Sequence, residues 1–147
     1  MISHQIAAEL SDNFNGEPWH GWPLRKLVAA IDPQKAHAHP IPNAHSAAEL
    51  LAHVIAWIEI VERRLRNEEF EVTRELDFPN VDDVSWPDLV ARLDATHERL
   101  IRSVEQLTDD QIRAKVAGQP YTAKWMLRGL AHHNTYHGAQ IALLSKA

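Results

Sequence analysis

His133 and His137 stand four residues apart within the run Met126, Leu130, His133, His137, Ile141 and Leu144. Steps of three and four place all six on one face of a helix. Two imidazoles one turn apart, their Cβ atoms about 5–6 Å from each other, can chelate a single divalent ion. Such a pair leaves the ion short of protein ligands, so a third must come from another helix. His53, which shares the flank of an apolar stripe with Leu50 and Trp57, is the candidate. His97 is its competitor, because Leu93, His97, Leu100 and Val104 put it squarely on a buried face. His132 projects to a different flank with Trp125, Tyr136 and Leu143, so the doublet His132-His133 supplies one inward ligand.

The bland reading has weight. A single inward histidine is more often a neutral, hydrogen-bonded core residue. Three imidazoles buried together without a metal, however, need several separate partners, which an apolar core offers sparingly. The chain has ten histidines and no cysteine, so any metal is held by nitrogen and oxygen, and disulfides and thiolate nucleophiles are excluded. All-imidazole ligation suits zinc or nickel best, with manganese or iron also accommodated. His4, His37, His39 and His45 fall in or beside polar, proline-rich sequence and read as surface residues.

The elements that must carry these side chains are helical. Residues 2–14 are weakly amphipathic and run into Asn15-Gly16-Glu17-Pro18, and a second stretch covers residues 23–31; together they read as a broken first helix. Residues 32–43 hold three prolines and form a connection. Ser46-Ala47-Ala48-Glu49 has the form of a capping box, opening a helix that runs to about Asn67. Residues 68–83 are acidic, without helical period, and read as a loop. Ser85-Trp86-Pro87-Asp88 opens the next helix, with Leu89, Val90, Leu93, Leu100, Ile101 and Val104 on its buried face. Thr108-Asp109-Asp110-Gln111 caps a short helix, Gly118-Gln119-Pro120 breaks the chain, and the last helix begins near Thr122. The expected fold is all-α, a four-helix bundle spanning residues 1–147 as one domain.

Composition narrows the function classes. A net charge of −5 and the lack of any lysine or arginine run argue against nucleic acid as a partner. No stretch approaches the roughly 20 apolar residues of a membrane helix, and the N-terminus lacks a signal-peptide pattern, so a cytoplasmic protein is expected. Gly-rich phosphate loops, a Gly-x-Ser-x-Gly elbow and di-iron Glu-x-x-His pairs are all missing. Trp19-His20-Gly21-Trp22-Pro23 is a dense aromatic turn that walls a pocket or packs at the bundle's end. Gln140 lies on the side of His137, placed to contact a ligand or a backbone carbonyl.

Three segments carry a resemblance: Gly16 to Gly21 (GEPWHG), Ser46 to His53 (SAAELLAH) and, most specific, His133 to Ile141 (HNTYHGAQI). Through them nearly the whole chain resembles the DinB-like superfamily of metal-binding four-helix bundles, which includes the YfiT-like proteins and several thiol-dependent transferases. The resemblance implies His53, His133 and His137 as the metal ligands, with His97 left as a core histidine, and an up-down-down-up bundle that often forms homodimers. An apolar flank of Trp125, Tyr136 and Leu143 on the last helix suits a partner chain or the broken first helix.

Three chemistries are open to such a site. The first is transfer of a low-molecular-weight thiol to an electrophilic small-molecule substrate. The second is hydrolysis of an amide or ester, which lacks a named base because Glu49 is engaged in its cap. In the third the ion only staples the bundle.

Overall fold

The computed structural model describes residues 1–147 and is helical throughout, with helices α1 (Ile2–Asn15), α2 (Leu24–Ala29), α3 (Ala47–Leu65), α4 (Arg74–Asp77), α5 (Trp86–Glu105), α6 (Asp109–Arg113) and α7 (Ala123–Leu144). Local chemistry sets most of the boundaries. Ser46 Oγ accepts from the Glu49 N–H at 3.1 Å while the Glu49 carboxylate accepts from the Ser46 N–H at 3.0 Å, so two otherwise unpaired donors at the start of α3 are satisfied together. Thr108 and Gln111 form the same reciprocal pair at α6. Ser85 and Thr122 cap α5 and α7. At Gly118 the turn before α7 adopts φ +71°, a region that glycine enters without steric cost.

Four long helices form the bundle. α3 packs between α5 and α7, and α1 does the same from the opposite side, while α2 lies on α1 and α7. With neighbours on two sides, α3 is apolar around most of its circumference, and Leu51, Val54, Ile55, Ile58 and Ile60 are all fully buried. Leu93 and Leu100 of α5, Ile6 and Leu10 of α1, and Leu127 and Ile141 of α7 complete one continuous core. No helix is long and apolar enough to cross a membrane.

The segment expected to be a loop contains α4, a single turn in which Thr73 Oγ1 accepts from the Leu76 N–H at 3.2 Å. One turn is too short to show a period, so only its cap was there to be read. Val90 and Ile101 are half-buried rather than buried, and the inward face of α5 is centred on Leu93, Thr96, His97 and Leu100 instead. The two tryptophans of the aromatic turn are not buried against the bundle, although Pro23 is. Trp19 is fully exposed, and Trp22, also exposed, lies under the Lys26 Nζ at 4.1 Å and edges a hollow with Asn15 and Arg25. Trp125, Tyr136 and Leu143 are exposed, so neither α1 nor α2 covers that flank.

Candidate metal centre

Two stripes face each other across the α3–α7 contact: His53, Trp57, Val61 and Arg64 on α3, and Met126, Leu130, His133 and His137 on α7. They line a cavity of about 390 Å³, to which Asp77 of α4 and Tyr121 also contribute. Gly129 keeps one wall open, since a Cβ there would meet nothing within 4 Å.

At one end of the cavity the ring nitrogens of His53, His133 and His137 come within 4.8 Å of one another. His53 is buried, and its Nδ1 donates to the Asp77 carbonyl at 2.7 Å. Phe78 stacks on the same ring, centroids 4.1 Å apart and planes within 8°. Trp57 Nε1 donates to Asp77 Oδ1 at 2.7 Å, so α4 fixes both a histidine and the aromatic wall beside it. His137 Nδ1 donates to Gln140 Oε1 at 2.6 Å, a partner that neither reading of Gln140 from the sequence names.

These acceptors dictate tautomers. A ring whose Nδ1 carries the proton presents a lone pair at Nε2. The Nε2 atoms of His53 and His137 nevertheless lie 3.1 Å apart, and the His133 Nε2 is also 3.1 Å from that of His53. Lone pairs held this close repel unless a cation or a proton lies between them. Burial, reinforced by the neighbouring imidazoles, pushes His133 down to about 4. Burial lowers His137 too, against the opposing hydrogen bond with Gln140. A proton is therefore poorly held on those two rings near neutral pH, and the arrangement fits a metal ion. The 3.1 Å separations from His53 to each of the other two are of the size that nitrogens sharing one ion would have.

His97 is elsewhere. It is buried on α5 and stacks on Phe14 of α1, centroids 3.8 Å apart and planes at 13°. Since α5 faces α1 and α3 rather than α7, its imidazole does not join the cluster. His132 is exposed on the outer flank. Glu49 is committed to its cap and to His39 and His45, each at 2.9 Å. Its partial burial raises the carboxyl pKa, but these hydrogen bonds outweigh that and hold it below the ordinary value.

Sequence reasoning missed Asp77 and Arg64. The first lay in a supposed loop, where Thr73 was the available signal. The second continues the spacing His53, Trp57, Val61 by three residues, but an arginine near a helix end reads as solvated.

The structure resembles that of the colibactin self-resistance protein ClbS, crystallised in complex with a dsDNA, at 20% identity and TM-score 0.76 over 99% of this chain and 96% of that one. It also resembles a DinB-like protein, YjoA, from Bacillus subtilis, at 16% identity and TM-score 0.65 over 97% and 90% of the two chains. No curated protein sequence matches the chain significantly. The duplex-bound structure overturns the expectation that nucleic acid is no partner, because that exclusion rested on the summed charge of −5 and on the lack of a lysine or arginine run along the sequence. A duplex is met by one local surface, and a negative total says nothing about where the positive groups lie. The DinB superfamily pattern matches residues 23–141, which include the capped start of α3 and all three clustered histidines, and the chain belongs to that superfamily.

Proposed function

We propose that His53, His133 and His137 hold one divalent metal ion and that the cavity beside it brings an external thiol to a small electrophile. The observation that carries this reading is the pair of Nε2 lone pairs facing each other at 3.1 Å, each fixed by a hydrogen bond on the far side of its ring. Three neutral imidazoles leave the ion a charge near +2 and an open position, so that when bound it favours the thiolate of a thiol placed there. With no cysteine in the chain, that thiol comes from solution. Sulfur then forms a bond to the electrophilic carbon, the halide or other leaving group departs with its electron pair, and the thiol proton passes to solvent.

The chain's residues have distinct parts in this. Asp77 and Gln140 orient the rings of His53 and His137, as outer partners of metal ligands do. Trp57, Val61, Met126 and Leu130 exclude water from the approach. Hydrolysis is less well served, because Asp77 meets the Nδ1 edge of His53, at 3.2 Å for Oδ1, and so lies behind the ring rather than at the open side.

The purified protein is expected to carry about one zinc or nickel ion per chain. It should accelerate conjugation of 1-chloro-2,4-dinitrobenzene by roughly a hundredfold, a modest share of enzymatic rate enhancement, only when metal and a low-molecular-weight thiol are both supplied. Ester or amide cleavage without thiol would transfer support to the hydrolase. No turnover by a fully loaded protein would leave the ion a structural staple.

A second reading, duplex DNA docking, is supported by the dsDNA complex of ClbS with the same fold. A labelled short duplex should show raised fluorescence anisotropy with the protein at low salt, falling steeply as salt is added. Unchanged anisotropy at low salt would eliminate it.

A further inference from the structure

The cavity has a second polar end. Arg64 is only 9% exposed, yet no carboxylate lies within ion-pair distance of it. Its neighbours are matched: Arg63 pairs with Glu68 at 2.8 Å, Arg66 with Glu68 at 3.2 Å, and Glu62 faces Arg66 and Arg99. The hydrogen bond recorded for the Arg64 guanidinium runs from Nη1 to the Tyr121 hydroxyl at 2.8 Å. Its Cζ sits 5.7 Å from the Trp57 ring centroid and 5.9 Å from that of Phe70. Aromatic faces soften the cost of a buried cation without matching its charge. A guanidinium has five N–H donors in a planar fork, and of the protein's own acceptors only the Tyr121 hydroxyl takes one of them.

Trp57 links this cation to the histidines. Its indole lies 5.8 Å from the His133 ring on one side and close to Arg64 on the other, and the wall between the two ends is apolar. A molecule that fills the space therefore meets a cation at one end, aromatic and aliphatic surface in the middle, and three imidazoles at the far end. We propose that the cavity takes a small monocarboxylate with an apolar or aromatic body, its carboxylate gripped by Arg64 and its other end carried past Trp57 to His53, His133 and His137. A planar carboxylate matches the guanidinium fork in two parallel hydrogen bonds. A single cation, in a cavity whose lining also includes Asp77, disfavours more highly charged anions. The assignment deepens the reading of this cavity as the reaction site, while the grip of Arg64 on a carboxylate does not itself require a metal at the histidines.

Calorimetry with 3-phenylpropionate and its neutral isostere 3-phenylpropionamide separates the possibilities. The acid should bind about tenfold or more tightly than the amide, as a charge-assisted bond predicts, in metal-loaded and chelator-treated protein alike. Arg64→Gln should reduce the acid to the level of the amide while leaving amide affinity and metal content unchanged. Arg64→Lys, which keeps the charge but not the fork, should retain a smaller preference and guards against misfolding of the neutral variant. Gly129→Leu, which fills the open wall, should weaken both ligands.

Equal binding of acid and amide, or no binding of either at millimolar concentration, would overturn the assignment. So would a preference that survives in Arg64→Gln, since that places the carboxylate on the metal. A protein that binds no metal yet prefers the acid through Arg64 would defeat the metal reading and leave this one standing.

Discussion

Replacing His133 or His137 by alanine is expected to abolish tight metal binding, with a loss larger than the roughly hundredfold that removing an outer partner of a ligand costs. Either change would remove one of two imidazoles held one turn apart on α7, and an ion at the proposed site would be left with too few protein ligands. The fold should survive. Both side chains are half-buried rather than part of the continuous core, and alanine is the strongest helix former. His53→Ala should behave in the same way, although its ring also anchors Phe78 and the Asp77 carbonyl, so some order in α4 should go with the metal. His97→Ala should leave metal content unchanged. Metal analysis after dialysis, beside a helical circular dichroism spectrum, reads all four variants, and loss of the ion from His97→Ala alone would show the third ligand to be misassigned.

The second large effect is on acid stability, and His97 is its source. Burial among Phe14 and the α1–α5 contact pushes its pKa down from the ordinary 6.5 to about 4, only partly opposed by Asp94. The unfolded chain takes up a proton on this residue at a higher pH than the folded one, so stability is complete above about 6.5. The share that depends on a neutral His97 falls as the pH drops towards 4 and is lost below that. The difference corresponds to about 3 kcal/mol. Urea unfolding of metal-free protein at pH 7 and pH 4 should therefore show His97→Leu losing about 3 kcal/mol less than the parent chain over that interval. Using metal-free protein for both keeps the contribution of His133, which is also depressed, common to the pair. Parallel losses in the two proteins would place the acid sensitivity elsewhere.

What could be read from the linear chain is what depends on residues within about one helical turn of each other. Ser46 with Glu49 and Thr108 with Gln111 are reciprocal bonds three residues apart, and their form is visible before any fold exists. The inward run from Met126 to Leu144 follows from helical period alone, and with it the pairing of His133 and His137. Periodicity also marked His53 and His97 as inward residues, but it could not choose between them. That choice depends on which helix α7 packs against, and α7 lies on α3 and not on α5.

The rest of the site is made of long-range contacts. His53 meets His137 across 84 residues, Arg64 meets Tyr121 across 57, and Asp77 reaches His53 across 24, from a helix one turn long. A charge total of −5 likewise said nothing about local surfaces, which is where the exclusion of nucleic acid failed. The sequence by itself determined the helices, their caps and the pairing of His133 with His137 on one face, because those interactions are closed within a few residues. Only the tertiary structure decided which histidine of another helix meets that pair, the groups that orient it and the unpaired Arg64 at the other end, because each depends on how the connections bring distant helices together.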